Sequence, residues 1–363
     1  MFISHLSLST FRSYQSLELD LTPGISVFVG RNGEGKTNIV EAILYLSFLN
    51  SHRVSNDQPL VQLGSQSAYI RATTQLPDRE VLVELEVNAE KANRARINQN
   101  PVRSQKELFG IVQAIYFSPE DLDLVRGDPS ERRKFIDQLL MLRSPRLAGI
   151  ISDYERAVRQ RNTLLKSRAG NESLSSWDEQ VAKFGGQIIA ARLQTLADFE
   201  PIFTQTYKDI SSEKRASIGY KSSIENPTVN EGQNTELILE RMKISRAAEI
   251  ERGLTLTGPH RDDLLLHLGN HLVKGYASHG ESWSIALSLK LATYQLLKND
   301  GLSPILILDD VFSELDDQRR TQLIQLAQSA KQTLITVAVE SDLPLELTGA
   351  RFHVKSGSVS RDA

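Results

Sequence analysis

The chain has 363 residues, 24% of them charged, a net charge of −3 and no cysteine. That length can bury a large core and divide into two lobes, while the lack of cysteine excludes disulfides, thiolate-bound zinc and a thiol nucleophile. Near-neutral charge excludes a global basic field, and no apolar run approaches the ~20 residues that span a bilayer, so a cytoplasmic protein without membrane association is expected.

Residues 1–10 carry no basic leader and alternate like a strand, so no signal peptide is expected. Strands are predicted at residues 3–8, 17–21 and 25–29, then as an antiparallel pair at 68–75 and 80–87. Between the third strand and a helical stripe (Ile39, Val40, Ala42, Ile43, Leu46) stands Gly30-Arg31-Asn32-Gly33-Glu34-Gly35-Lys36-Thr37, a complete G-x-x-x-x-G-K-[ST] phosphate loop. Its glycines free the backbone to aim N–H groups inward at phosphate oxygens. Lys36 supplies a mobile cation for the outer phosphates, Thr37 a hydroxyl for Mg²⁺, and the helix start a positive pole. An ordinary glycine-rich turn is the weaker reading, because strand, loop and helix occur in the required order.

Around residue 128 the character changes. Asp128 as N-cap, Pro129 at N1 and Glu131 at N3 open a helix carrying Phe135, Ile136, Leu139 and Leu140. Further stripes run through Leu147, Ile150, Ile151, Tyr154, Val158 and Leu165, and through Trp177, Val181, Phe184 and Ile188. Residues 121–253 are therefore expected to form an inserted, mainly helical lobe, with residues 1–120 and 254–363 as the head. Such short stripes are not sustained heptads, so no long coiled coil is expected. Strands return at 254–257 and as a hairpin, 264–268 and 271–276, turning at Gly269-Asn270. Ala277-Ser278-His279-Gly280-Glu281-Ser282 then opens an amphipathic helix. Residues 305–308 are continuously apolar and end in Asp309-Asp310, the pattern of a central parallel strand with carboxylates at its C-terminal end, beside the phosphate loop. Asp309 is expected to hold Mg²⁺ through its water shell, and Asp310 to orient or deprotonate the attacking water. Two solvated acids capping the next helix are the alternative, which weakens once the loop is considered with them. A last strand is expected at 333–338.

The order of phosphate loop, Ser-x-Gly-Glu, apolar strand with two acids, and Ser313-Glu314-Leu315-Asp316 resembles the ABC-type ATPase head. The resemblance implies an α/β fold of P-loop NTPase type, a mixed sheet with an antiparallel β subdomain and an inserted helical lobe. It also implies a signature (Ser278, Gly280, Glu281) that closes over the nucleotide of a second copy, and a D-loop containing Ser313 and Asp316. A hydroxyl and a backbone N–H at a helix start suit that task. Further matches are Leu6-Ser7-Leu8, Phe11-Arg12-Ser13-Tyr14, the loop extended through Asn38, Phe117-Ser118-Pro119-Glu120-Asp121-Leu122, Gly258-Pro259-His260-Arg261-Asp262-Asp263, and residues Leu308 to Asp316. Together these are similar to the bacterial RecF family, nearly end to end and weakest between residues 165 and 250.

That resemblance implies ATP and Mg²⁺ as cofactors. ATP is bound by Gly30, Arg31, Asn32, Gly33, Glu34, Gly35, Lys36, Thr37 and Asn38, and the metal by Thr37 and Asp309. Lys36 and Asp310 become the catalytic residues of a weak, DNA-stimulated ATPase that forms an ATP-dependent homodimer. Implied partners are gapped or junction DNA, RecO and RecR, in recombinase loading, replication-fork recovery and the SOS response, with a nucleoid-associated place in the cytoplasm. After Ser-x-Gly-Glu the family usually carries Gln and a basic residue, where this chain has Ser282-Trp283, so weaker contact across the dimer is expected. Ser118-Pro119-Glu120 stands where transporter heads have a Q-loop glutamine, and no switch histidine follows the last strand. Asp310 is one methylene shorter than the glutamate common in ABC heads, which predicts slow turnover.

Residues 131–170 hold ten basic residues, Arg168 among them, against four acids. Arg132, Arg133, Lys134, Arg156 and Arg159 are the candidates for contact with a DNA backbone, against the plainer reading of a solvated helical surface. His267 and His271 flank the Gly269-Asn270 turn and are not expected to bind metal; His260 has no role that sequence can supply. The alternative functions are the ATPase subunit of a membrane transporter, disfavoured by the long interval from Lys36 to Ser278, and a structural SMC-like chromosome protein. Nuclease chemistry is disfavoured by the lack of an acidic cluster beyond Asp309-Asp310.

Overall fold

A computed structural model describes residues 1–167, 171–211 and 214–362. Arg168 lies outside them. The chain forms two compact units, one of residues 1–121 with 293–363 and one of residues 122–292.

The first unit contains two sheets. The central one runs Ser358–Arg361, Ala350–Lys355, Gly24–Val29, Gln332–Val337, Ile305–Asp309, Ala114–Phe117, parallel except for the first, edge strand. Every residue of Ile305–Asp309 and of Gln332–Val337 is buried, as strands covered on both faces require. Their register sets Asp309 opposite Thr336 and Val337 opposite Val29, so the acid-bearing strand and the strand feeding the phosphate loop end at one edge. The other sheet is antiparallel: Tyr14–Asp20, Phe2–Phe11, Ser67–Gln75, Glu80–Asn88, Arg94–Ile97, Asn100–Pro101. Strict alternation of burial along Ser67–Gln75 gives it one core face. Its last hairpin turns through Asn98 and Gln99, both left-handed (φ 50° and 68°).

The second unit is mainly helical. Its longer helices are Pro129–Arg143, Arg146–Lys166, the 40-residue Asn171–Ile210, and Glu231–Arg252. The predicted stripes supply the core: Tyr154 and Val158 pack with Val181, Ile188, Ile238 and Met242. Buried Arg161 donates to Asp178 at 2.6 Å, Glu249 at 2.5 Å and Thr255 at 2.9 Å. Removing one member of such a buried set costs about 3–5 kcal/mol, because its partner's charge is left uncompensated.

Four expectations need correction. The helical insertion does not end at residue 253: Asp263–Leu268 pairs with Ala216–Lys221 and with His271–Leu272, so residues 254–292 belong with the second unit. No strand forms at 254–257, because side chains take its backbone donors: Asn162 accepts from Thr255 N at 2.7 Å and Glu249 from Leu256 N at 2.8 Å. The hairpin's second strand is only His271–Leu272. Pro129–Arg143 begins where expected, but the Asp128 side chain makes no capping bond; its carboxylate lies 3.7 Å from Lys274 instead. Among the described residues no helix is long and apolar enough to cross a membrane.

Candidate nucleotide site

The phosphate loop joins Gly24–Val29 to the helix Lys36–Phe48. Gly33 and Gly35 take φ of 86° and 116°, which side chains rarely adopt. Close packing adds a second demand for glycine. A Cβ on Gly30 would stand 2.3 Å from the Val354 carbonyl oxygen, and one on Gly35 2.9 Å from the Ser13 and Tyr14 hydroxyls. Tyr14 itself donates to the Gly35 carbonyl at 3.1 Å. The next positions are braced from behind. Asn38 donates to Ser13 at 2.9 Å and accepts from Arg53 at 3.1 Å, while Arg12 grips fully buried Glu41 at 2.7 and 2.9 Å. Burial alone would raise the Glu41 pKa, but the Arg12 guanidinium and Ser51 hydroxyl hold it below the usual carboxylate range.

Lys36 is almost wholly buried, its Nζ donating to the Gly30 carbonyl at 2.7 Å and standing 3.9 Å from the Asp310 carboxylate. Thr37 Oγ1 approaches Asp309 Oδ1 at 3.4 Å. Two further hydroxyls hold that carboxylate: Thr336 on Oδ1, and Tyr116 on Oδ2 at 2.9 Å. Burial and the Asp309 charge push the Tyr116 phenol far above its ordinary value, so it remains a donor. Asp310 leaves the strand with φ 51°, its N–H bound to both the carbonyl and the hydroxyl of Thr336 at 3.2 and 3.1 Å. Burial raises the Asp310 pKa; Lys36 opposes the rise, and Asp309 and Asp342 add to it. The result is two adjacent carboxylates with different tasks open to them. Asp309 has its oxygens oriented by three hydroxyls, and Asp310 is a carboxylate whose basicity burial raises.

Other candidates divide. Arg31 and Asn32 are exposed at the loop tip, and Asn32 Oδ1 accepts from Lys36 at 3.4 Å. The Glu34 carboxylate accepts from the N–H and hydroxyl of Ser356. In the D-loop segment, exposed Ser313 donates to the Asp310 carbonyl at 3.4 Å, and Asp316 caps the helix Asp317–Ser329 by accepting from Arg319 N at 3.0 Å.

The family model for the RecF/RecN/SMC N-terminal domain matches residues 2–346. The DNA replication and repair protein RecF of Streptomyces avermitilis is 47% identical to this chain, over 99% of it and 100% of that protein. The chain belongs to the RecF family. A solved structure of the recombination mediator protein RecF-ATP in the RecFOR pathway is 27% identical, with a TM-score of 0.91 over 100% of this chain and 98% of that one. The Smc head bound to the C-winged helix domain of ScpA, at 16% identity and a TM-score of 0.59 over 100% and 97% of the two chains, shows the fold alone. The architecture is thus the α/β RecF/SMC-type ATPase head.

Within the second unit, the RecF-type signature begins the helix His279–Asn299. Ser278 is exposed and Gly280 half-exposed. Ser278 and Glu281 cap each other: Glu281 accepts from Ser278 N at 2.8 Å, and Ser278 Oγ accepts from Glu281 N at 3.2 Å. Lys214, at 2.7 Å, and the Ser278 N–H hold the Glu281 pKa down at about 2. The departure Ser282-Trp283 is buried within its own chain, with Trp283 Nε1 donating to His279 at 3.1 Å, so neither side chain is a contact surface.

The DNA candidates also divide. Arg132 makes two bonds to Asp263, at 2.8 and 3.0 Å, and Arg133 donates to the Asp262 carbonyl at 2.9 Å. The Arg132 guanidinium is buried in that pair, which removes it from a DNA surface, whereas Arg133 is only partly buried. Lys134, Arg156 and Arg159 are exposed. Of the motif around His260, Gly258, Pro259 and Asp262 are buried and Arg261 is exposed. His260 Nε2 donates to the Thr255 carbonyl at 3.1 Å, leaving Nδ1 to accept from the Tyr154 hydroxyl at 2.5 Å, and burial lowers the His260 pKa to about 4.

Proposed function

We propose that this chain is an ATP-gated DNA-binding switch of replication and repair, acting at gapped or junction DNA with RecO and RecR to load recombinase. The carrying observation is the meeting, at one sheet edge, of Thr37 with Asp309 and of Lys36 with Asp310, groups remote in sequence. Relatives named for replication and repair support the DNA role, and the likeness to a RecF-ATP structure supports ATP as the nucleotide; the cytoplasm, at the nucleoid, is the place of action this role implies. A transporter subunit has no comparable support.

The loop's inward N–H groups and Lys36 bind the triphosphate, with Lys36 exchanging the Gly30 carbonyl for phosphate oxygens. Thr37 and Asp309, a hydroxyl and a carboxylate side by side, fit Mg²⁺, which favours oxygen ligands and keeps several waters. When bound, Mg²⁺ neutralises charge developing on the transferred phosphoryl group. Asp310 orients the attacking water and accepts its proton, aided by the burial that raises its basicity. The exposed Ser278 and half-exposed Gly280 of one copy close on the triphosphate of another, so ATP joins two heads and slow, DNA-stimulated hydrolysis separates them. DNA lies along exposed cations of the paired surface, Lys134, Arg156 and Arg159 among them, by backbone contact.

Light scattering with saturating ATP and Mg²⁺ tests this reading. Lys36→Met remains monomeric, whereas Asp310→Asn binds ATP and accumulates dimers that hold DNA. Monomers for Asp310→Asn under those conditions would contradict it.

A further inference from the structure

The motif of residues 258–263 and the short helix Leu122–Arg126 have no part in the chemistry above, yet a chain of contacts leads from one to the signature. Asp263 fixes Arg132, whose Nη1 donates to the Gly127 carbonyl at 3.1 Å; Lys274 Nζ donates to the same oxygen at 2.9 Å. Gly127 N returns to the Asp123 carbonyl at 2.8 Å, and a Cβ at Gly127 would stand 2.4 Å from that oxygen. The residue before it, Arg126, is thereby delivered at a fixed point. Its Nε donates to Ser282 Oγ at 3.3 Å, and Ser282 donates in turn to the Ser278 carbonyl at 2.8 Å.

Arg126 is exposed, and among the described residues its two Nη groups have no partner. The signature helix offers no lysine or arginine of its own before Lys290. Lys214, beside the same tip, is paired with Glu281, and Lys274 is 3.7 Å from Asp128. A guanidinium next to the N-terminal pole of a 21-residue helix is repelled by it. An anion facing both groups turns that repulsion into shared attraction, and a guanidinium pairs with phosphate through two donors at once.

We propose that Arg126 is a binding residue for the triphosphate held by a second copy, supplying to the signature a cation that its own helix lacks. The contacts of Asp263, Arg132, Lys274 and Gly127 position it. This rests on the two-copy reading of the signature given above.

The test uses the full chain carrying Asp310→Asn, with dimerisation by ATP and Mg²⁺ followed by light scattering over a protein dilution series. A fluorescent ATP analogue titrated onto the monomer is the control for fold and phosphate loop. Arg126→Gln should raise the protein concentration at half-dimerisation by roughly tenfold or more, the worth of a charge-assisted contact. Arg126→Lys should fall between it and the parent, and Ser278→Arg should abolish dimers. If Arg126→Gln dimerises like the parent while Ser278→Arg does not, the role of Arg126 is refuted and the two-copy reading survives. If Ser278→Arg also dimerises, both fail. Loss of analogue binding by monomeric Arg126→Gln would make the residue structural and overturn the proposal.

Discussion

Thr336→Val isolates the device that orients the Asp309 carboxylate, the ligand proposed for Mg²⁺. Thr336 is fully buried, and its hydroxyl serves two clients, donating to Asp309 Oδ1 and accepting from Asp310 N. Valine preserves the shape but not the hydroxyl. Asp310 N keeps the Thr336 carbonyl at 3.2 Å, so its backbone should hold. Asp309 keeps Tyr116 on Oδ2 and the longer Thr37 contact on Oδ1, and so loses one anchor of three. A hydrogen bond to a charged group contributes about 1.5–3 kcal/mol, which is roughly tenfold to a hundredfold in any equilibrium that depends on it. The expected result is a rise of about tenfold or more in the Mg²⁺ concentration for half-maximal ATP hydrolysis, with metal-free binding of a fluorescent ATP analogue unchanged. Tyr116→Phe should act in the same direction, and the double variant should show coupling, since both hydroxyls serve one carboxylate. An unaltered Mg²⁺ titration for Thr336→Val would refute the argument that Asp309 is held in position for a metal.

Other outcomes follow from the second unit. His260 titrates at about 4 when folded against 6.5 ordinarily, so the unfolded chain binds the extra proton first. Stability from this group is complete above pH 6.5 and is lost as pH falls toward 4, by ~2 kcal/mol between pH 7.5 and 5. Urea unfolding of His260→Gln over that range should lack this component, and an identical pH slope in both proteins would count against it. Replacing Lys134, Arg156 and Arg159 together by alanine should flatten the salt dependence of DNA binding by up to ~0.9 in slope for each phosphate no longer neutralised, measured by fluorescence anisotropy on gapped duplex. Arg132→Ala should instead lower the unfolding temperature and leave that slope alone; the reverse pattern would put the DNA surface elsewhere.

The site was legible in the sequence where backbone geometry dictates residue type. Glycines at positions 33 and 35 answer to positive φ, and a continuous apolar run ending in acids answers to a strand buried on both faces. Groups that reach the site from other strands left no local mark. Tyr116 belongs to a strand of four residues and Thr336 to an apolar run in which a threonine is unremarked, and only the register beside Asp309 gives them meaning. Charge counting fails for a related reason. Arg132, Arg143 and Arg161 fall in the same basic stretch as the exposed cations, but their acid partners, Asp263, Asp198 and Asp178 with Glu249, lie beyond it on other elements. A composition window sees the cations and not what neutralises them.

The backbone at Asp310 gives a structural reason for an aspartate where ABC heads commonly carry glutamate. Successive residues of a strand point to opposite faces, so Asp309 and Asp310 in regular extension would address different sides of the sheet. The left-handed φ of 51° breaks that alternation just where it must be broken, leaving Asp309 beside Thr37 while Asp310 comes within 3.9 Å of Lys36. Among residues bearing a carboxylate, aspartate tolerates this conformation best, because its short polar side chain can bond locally and crowds the following carbonyl least. The shorter arm reaches less far toward an attacking water. Under the function proposed above, the backbone turn that separates the two acids would also slow turnover.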